Sequence, residues 1–238
     1  SESEQFFKNL ELATLGTVAD MVPLVGDNRV LVKNGLLTLG SSARIGLKAL
    51  YQEAVIGKDI GTYEIGFMIS PRLNAMGRME SAYDSLRLLL TRDKARAEKL
   101  AQKLGQTNKQ RQEATQEALL HARNEVEKKY LGGKLFVISS EKYEEGVVGL
   151  VAGRITESYH RPTAVISENP KVSKGSARSI SGFNITNAIG KSSSLLVSHG
   201  GHPMAAGFSI DKENISKFRE NFVKVAEDEL NEENLTPE

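Results

Sequence analysis

Residues 134–167 read KLFVISSEKYEEGVVGLVAGRITESYHRPTAVIS and carry two kinds of order in one stretch. KLFVISS (134–140) and PTAVIS (162–167) are short β-type runs, rich in branched apolar residues. GVVGLVAGRITESYH (146–160) between them has helical spacing with small residues on one side, and Pro162 stops it. A strand, a helix and a second strand within one short segment predict an α/β domain.

The pattern continues downstream. KVSKGSARS (171–179) is a Gly/Ser/basic stretch, and NITNAIGKSSSLL (184–196) reads as a helix with a Ser-rich break. HGGHPMAAGFSI (199–210) reads as a Gly-rich turn running into a strand. ENISKFRENFVKVAEDELNE (213–232) is an amphipathic helix through Ile215, Phe218, Phe222, Val225 and Leu230.

Upstream, Gly132-Gly133 closes a charged segment from Asp93 to Tyr130 made mostly of good helix formers. Leu100, Leu104, Ala118, Leu119, Ala122 and Val126 offer it an apolar stripe, so it reads as one long helix or as two broken near 105–108. Before it, 81–91, 41–57 (capped by Ser41 or Ser42) and 28–39 look helical, and 60–68 is ambiguous. LELATLGTVADMVPLV (10–25) is almost continuously apolar and reads as a buried strand or strand-turn. The expected organisation is 1–92, a connecting helix over 93–131, and an α/β domain over 132–238.

At 238 residues the chain is long enough for two domains, and 39% apolar with 26% charged residues exclude wholesale disorder. With no Cys there are no disulfides and no thiolate zinc sites, which fits a reducing compartment. No apolar run approaches ~18 residues, so no membrane helix is expected. The start, SESEQFFKNLE, has neither a secretory pattern nor an initiator Met, which reads as a processed chain or a piece of a longer one. The net charge of +1 hides an acidic C-terminal stretch, 211–238, with nine acidic and four basic side chains. The remainder carries +6, a basic excess that permits a polyanionic partner but falls short of a dedicated nucleic-acid binder. Aromatics are few and Trp is absent, which speaks against an extensive base-stacking platform.

Four places carry candidate chemistry. Asp20 lies among apolar neighbours, where a lone carboxylate is costly unless paired or bound to metal; a turn cap is the plainer reading. SPRLNAMGRM (70–79) holds Arg72, Asn74 and Arg78 among small or apolar residues, either a phosphate-binding set or a surface loop with solvated arginines. In KGSARS (174–179), Gly175 permits close backbone approach, while Ser176, Ser179 and Arg178 offer polar groups to a phosphate. In SHGGHPMAAGF (198–208), a turn at Gly200-Gly201 would expose amide groups to an anion, with His202 as a donor; a zinc site lacks a third ligand. His121 and His160 read as surface residues. Walker A, Rossmann, nucleophile-elbow and HExxH patterns are absent.

Five segments in order, 15–36 (LGTVADMVPLVGDNRVLVKNGL), 70–78 (SPRLNAMGR), 145–167, 174–185 (KGSARSISGFNI) and 200–210 (GGHPMAAGFSI), resemble the RecJ family of single-strand-specific exonucleases in the DHH phosphoesterase superfamily. The TVAD-type and PRLNAxGR segments together favour RecJ over the smaller nano-RNase branch. The resemblance implies an α/β fold: the C-terminal part of a DHH catalytic domain, joined by a long helix to a DHH-associated nucleotide-binding domain, with the active site in the cleft between. It implies 5′-to-3′ hydrolysis of single-stranded DNA, 5′-phosphorylated, by a two-metal mechanism with manganese or magnesium. It implies that Asp20 is a metal ligand and that Arg72, Asn74 and Arg78 serve catalysis along the nucleic-acid path. Gly175, Ser176, Arg178, Gly200, Gly201 and His202 would bind substrate. A cytoplasmic enzyme of DNA repair and recombination, without membrane contact, is the implied setting.

There are also departures from the family pattern. Its DxDG-type and Asp-His-His motifs, which supply most metal ligands, are missing from the sequence, so the chain is expected to be inactive alone. Glu144 stands where members commonly have His, which leaves substrate preference open. The family's OB-type domain is also missing. Two alternatives follow: a non-catalytic nucleotide or single-strand binding module, and a phosphodiesterase for short oligonucleotides. A strand over 10–25 would moreover present an unpaired apolar edge.

Overall fold

The computed structural model describes residues 2–237, with side chains described from Asn9 onward. It divides into two compact units, with the division between Arg111 and Gln112.

The first unit is helical. α1 (Glu2–Ala19), α2 (Gly26–Leu39) and α3 (Ile45–Glu53) precede a π-helical segment (Glu64–Ile69) that runs directly into α4 (Ser70–Met79). α5 (Tyr83–Leu90) and the first half of α6 (Lys94–Glu125) complete it. Residues 10–19 are therefore helix, not strand. Leu10, Glu11, Thr14 and Leu15 are buried while Ala13 and Gly16 are exposed, a helical repeat hidden inside an apolar run. The unpaired apolar edge expected there does not exist, because a helix satisfies its own backbone. Gly35 of α2 lies against Thr14 of α1, and Gly46 of α3 against the Leu88 carbonyl of α5; a methyl group at either position would collide. Leu39, Leu47, Leu50, Ile65, Ile69, Met76, Leu88 and Leu104 form the core.

The N-cap of α3 is Arg44 and no side chain caps it, so the expected serine cap is not formed; Ser42 lies just before it. Its hydroxyl accepts the Arg44 N–H at 3.2 Å and donates to buried Glu11 at 2.7 Å. The helix itself begins at Ile45, later than the expected 41. α6 is unbroken through Gly105–Asn108 and ends in a π-helical turn, Val126–Tyr130.

The second unit holds a five-stranded sheet of order β1-β2-β3-β5-β4. β1 (Phe136–Ser140) and β2 (Thr163–Ser167) are parallel, joined through α7 (Val148–Tyr159); β3 (Val172–Arg178), β5 (Ala205–Asp211) and β4 (Leu196–His202) add antiparallel. α7 packs on β2 and β3. α8 (Ile185–Gly190) packs on β4 and β5, and α9 (Ile215–Glu229) reaches β1. A core of Val137, Ala164, Ile166, Ala177, Phe208, Ile210, Phe218 and Phe222 lies beneath α8 and α9. Arg219 of α9 donates to the Val137 carbonyl at 3.2 Å and to Ser139 Oγ at 3.0 Å, so the β1 edge is covered.

Two local readings change with the sheet. KGSARS is strand β3, not a cradle turn, because Val172 to Arg178 pair residue by residue with Asp211 to Ala205. Gly200-Gly201 also lie in a strand, opposite Gly207 and Ala206; the turn falls at Pro203-Met204. His160 terminates α7 in the left-handed conformation at φ 48°. Its neighbour Arg161 donates to the His160 and Leu235 carbonyls at 2.9 and 2.8 Å.

Candidate nucleic-acid interface

Residues opposite one another in an antiparallel pair point to the same side of a sheet. The register therefore sorts the candidates of the second unit. Lys174, Ser209 and Ser198 form one row, Ser176, Gly207 and Gly200 the next, and Arg178, Ala205 and His202 the third. All share one face. The middle row is nearly bare: Gly200 and Gly207 are exposed glycines lying opposite each other. The result is a shallow floor bordered by Ser176 and Arg178 on one side and His202 on the other. The three rows contain two cations and no carboxylate.

The border on the β3 side is pre-arranged. Arg178 Nη1 donates to Ser176 Oγ at 3.0 Å and to the Ala177 carbonyl at 2.9 Å. Gly149, in the first turn of α7, faces this pair; a Cβ there would sit 3.1 Å from Ser176 Oγ and 3.2 Å from Arg178 Nη2. The first turn of a helix favours anionic ligands, since its N–H groups lack intrahelical partners. Gly149 was not singled out from sequence, although the small-residue side of α7 was its visible trace. At one end Lys174 Nζ donates to Ser209 Oγ at 2.8 Å.

Gly175 and Gly201 belong to the opposite face. The missing side chain of Gly175 is replaced by the ring of Phe208, which packs against Phe218 with centroids 4.9 Å apart and planes tilted by 39°. Gly175 is thus a packing glycine, and its backbone is not open to a ligand. Gly201 has φ +153°, and a Cβ would strike the Ala205 backbone. The His202 carbonyl accepts the Thr186 hydroxyl at 2.6 Å, which ties the end of β4 to α8 and leaves the exposed imidazole at the floor's edge.

His121 is not a plain surface residue. Its Nδ1 lies 2.6 Å from the hydroxyl of buried Tyr143. Burial, and then Glu125, hold that phenol far above its ordinary range, so it stays protonated, and the imidazole tautomer sets which partner donates. The Tyr143 carbonyl accepts the Ser167 hydroxyl. These contacts pin the loop that leads to Gly149. Glu144 and Glu145 on this loop are exposed, and Glu145 accepts from Asn169 at 2.9 Å.

In the first unit, SPRLNAMGRM is helix α4, with Pro71 in its first turn, where a missing N–H costs nothing. Asn74 and Arg78 are exposed. Arg72 is engaged internally: Nε donates to Glu53 Oε2 at 2.5 Å and Nη1 to the Met68 carbonyl at 2.8 Å. Glu53 lies over Gly105 of α6, where a side chain would displace the carboxylate. Arg111 donates to the buried Asn108 side chain at 3.0 Å; burial, and then neighbouring Arg78, disfavour its charge. Nothing in the local sequence indicated Glu53 or Arg111, which meet α4 only through folding.

Asp20 is exposed, at the turn that ends α1, so the expected burial among apolar side chains is not found. Among the described residues no group of three His, Asp or Glu converges to hold a metal ion. Among the described residues no helix is long and apolar enough to cross a membrane.

A DHHA1 domain model matches residues 129–232. The chain is 38% identical to the single-stranded-DNA-specific exonuclease RecJ of Bacillus subtilis, over 96% of this chain and 29% of that protein. It is 34% identical to the RecJ of Haemophilus influenzae, over 95% of this chain and 41% of the relative. Crystal structures of RecJ from Thermus thermophilus in complex with Mg2+ and with Mn2+ superpose with TM-scores of 0.84 and 0.83 at 33% identity. These cover 93% of this chain and 35% and 33% of those structures. The stretch shared with the RecJ structures includes both the helical unit and the sheet, and so combines the C-terminal part of a DHH region with its associated domain. Residues 129–232 accordingly carry a DHHA1 domain, and nearly the whole chain is similar to the RecJ proteins, of whose matched members it spans between 29% and 41%.

Proposed function

We propose that the chain is the strand-holding part of a 5′-to-3′ exonuclease acting on single-stranded DNA, and that alone it binds DNA without cutting it. The observation that carries this reading is the register of β3, β5 and β4, which puts Ser176, Arg178 and His202 around a bare Gly200–Gly207 floor. A sugar–phosphate chain can lie flat only where side chains are missing. The guanidinium of Arg178, oriented by Ser176 and the Ala177 carbonyl, offers a fixed positive charge to a phosphate. The exposed His202 imidazole donates to a phosphate or ribose oxygen from the other side. In the helical unit, Asn74 and Arg78 offer an amide and a guanidinium to the same backbone chemistry, and Arg72 orients α4 through Glu53.

Catalysis in the family is proposed to use magnesium or manganese, with Asp20 as one ligand. When bound beside Asp20, such an ion would supply an activated water and charge stabilisation at the leaving oxygen. The residues described above bind and orient the strand. A non-catalytic single-strand binder is the second reading. It is favoured by the lack, among the described residues, of converging metal ligands.

One experiment tests both readings. This chain is incubated with 5′-phosphorylated single-stranded DNA and manganese, and one gel reports shift and cleavage. The expected result is a salt-sensitive shift without cleavage. Cleavage abolished by Asp20→Ala would show a complete metal centre and overturn the non-cutting part. Failure to shift at low salt would overturn the strand-holding role.

A further inference from the structure

Among the described residues, most aromatic side chains that make ring contacts are buried or half-buried, but the pair Tyr63 and Phe67 is not. Tyr63 and Phe67 are 62% and 71% exposed, yet stack on each other with centroids 5.0 Å apart and planes at 30°. They sit one turn apart, at the start of the continuous helical stretch 62–79 that becomes α4. Ile65, Ile69, Ala75 and Met76 of this stretch are buried, so the outward side carries Tyr63, Phe67, Asn74 and Arg78. Ala82 lies against Gly77, which brings a third exposed aromatic, Tyr83, to the Arg78 end. The helix thus displays aromatic, amide and guanidinium groups in turn, and α5 begins with a further aromatic.

We infer that Tyr63 and Phe67, with Tyr83, form a stacking platform for unpaired bases, beside the backbone contacts of Asn74 and Arg78. The inference rests on the strand-holding role proposed above and adds base contacts to it. Keeping two large rings in water is unfavourable unless something covers them. Charge favours a nucleic acid as that cover. Arg78 and Arg111 lie close enough to repel, and the carboxylates near Tyr83, Glu80 and Asp84, are held by Lys103 at 2.6 and 2.8 Å. Glu64, between the two rings in sequence, is occupied by the Gly61 N–H at 2.8 Å. From Phe67 to Arg78 the helix rises about 16 Å, the reach of a few nucleotides. Stacking needs only a π-face, so such a platform binds any base. The π-helical segment at Glu64–Ile69 fits this role, since such irregularities recur at functional sites.

The test compares this chain with its Y63A/F67A and Y63L/F67L variants by fluorescence anisotropy. The probes are a 3′-labelled oligothymidylate of about 12 nucleotides and an abasic oligomer of equal length. Both substituted positions are exposed, and circular dichroism confirms that the fold is kept. The platform predicts binding of the base-bearing probe weakened roughly 5- to 150-fold in both variants, with an unchanged salt slope. It also predicts that the wild-type chain binds the abasic probe as weakly as the variants do. R78A behaves differently, lowering the salt slope by about one. Variants that bind the base-bearing probe like wild type overturn the platform alone. So does an equal loss on both probes, or full affinity in the leucine variant. A change of oligomeric state with unchanged affinity assigns the rings to a protein contact and also overturns it. If the wild-type chain binds neither probe, the strand-holding role falls, and the platform with it.

Discussion

The Nε–H of Arg72 donates to Glu53 Oε2 at 2.5 Å, joining α4 to the end of α3, with both side chains about four-fifths buried. The Glu53 carboxylate is pressed in turn against Gly105 of α6. Arg72 therefore acts on the α4 surface by holding the helix, while Arg78, six residues on, is exposed. Arg72→Ala is expected to destabilise the chain by about 1–3 kcal/mol in thermal or urea unfolding. Arg78→Ala stays within about 0.5 kcal/mol of wild type in stability and alters only DNA binding. Equal stability of the two variants would refute this division of labour.

Phe208 occupies the space where Gly175 lacks a side chain, and Phe218 stands behind it. Neither ring can retreat in a packed core. Gly175→Ala is expected to cost about 3 kcal/mol or to prevent folding, measured as loss of the cooperative unfolding transition. Gly200→Ala, with open space around the added methyl, leaves stability close to wild type and lowers DNA affinity by covering the floor.

Arg178 is the charged group best placed for a phosphate. Arg178→Ala should weaken binding of a 5′-phosphorylated oligonucleotide by about 1–3 kcal/mol in a titration at fixed salt. If the loss is the same with and without the 5′-phosphate, Arg178 contacts an internal phosphate.

His121 and Tyr143 join α6 to the loop before α7 through a contact of 2.6 Å. A double-mutant cycle with His121→Ala and Tyr143→Phe should give a coupling of about 0.5–1.5 kcal/mol in unfolding free energy. Additive effects would mean that the contact does not hold the loop.

Asp84 accepts hydrogen bonds from Lys103 and Arg87, and both hold its carboxyl below the usual carboxylate range. A depressed carboxyl contributes stability that is present above its unfolded value of about 4 and lost as the pH falls through its folded value. Asp84→Asn should therefore flatten the fall in Tm on acidification below about pH 4. The effect should be small and shrink with salt, because the pair is near the surface.

Local spacing in the sequence was enough to determine several elements: the β1–α7–β2 order, the helical character of 94–125 and the amphipathic α9, while whether 94–125 is one helix or two stayed open. Each depends on near neighbours, whose 3.6- or two-residue repeats are visible along the chain. Only the tertiary structure decided what the ambiguous stretches became. The apolar run at 10–19 is a helix because two of its sides meet α2 and the π-helical segment, so continuous apolarity there reflected wide burial, not a strand. Gly175, Gly200 and Gly201 are adjacent to candidate ligand groups in sequence, but the alternation of a strand sends Gly175 and Gly201 into Phe208 and the Ala205 backbone and leaves Gly200 on the open face. Glu53 reaches Arg72, and Tyr63 with Phe67 stays uncovered, for the same reason. Which face a residue presents, and what meets it, is set by contacts between segments far apart in the chain, and no local pattern encodes them.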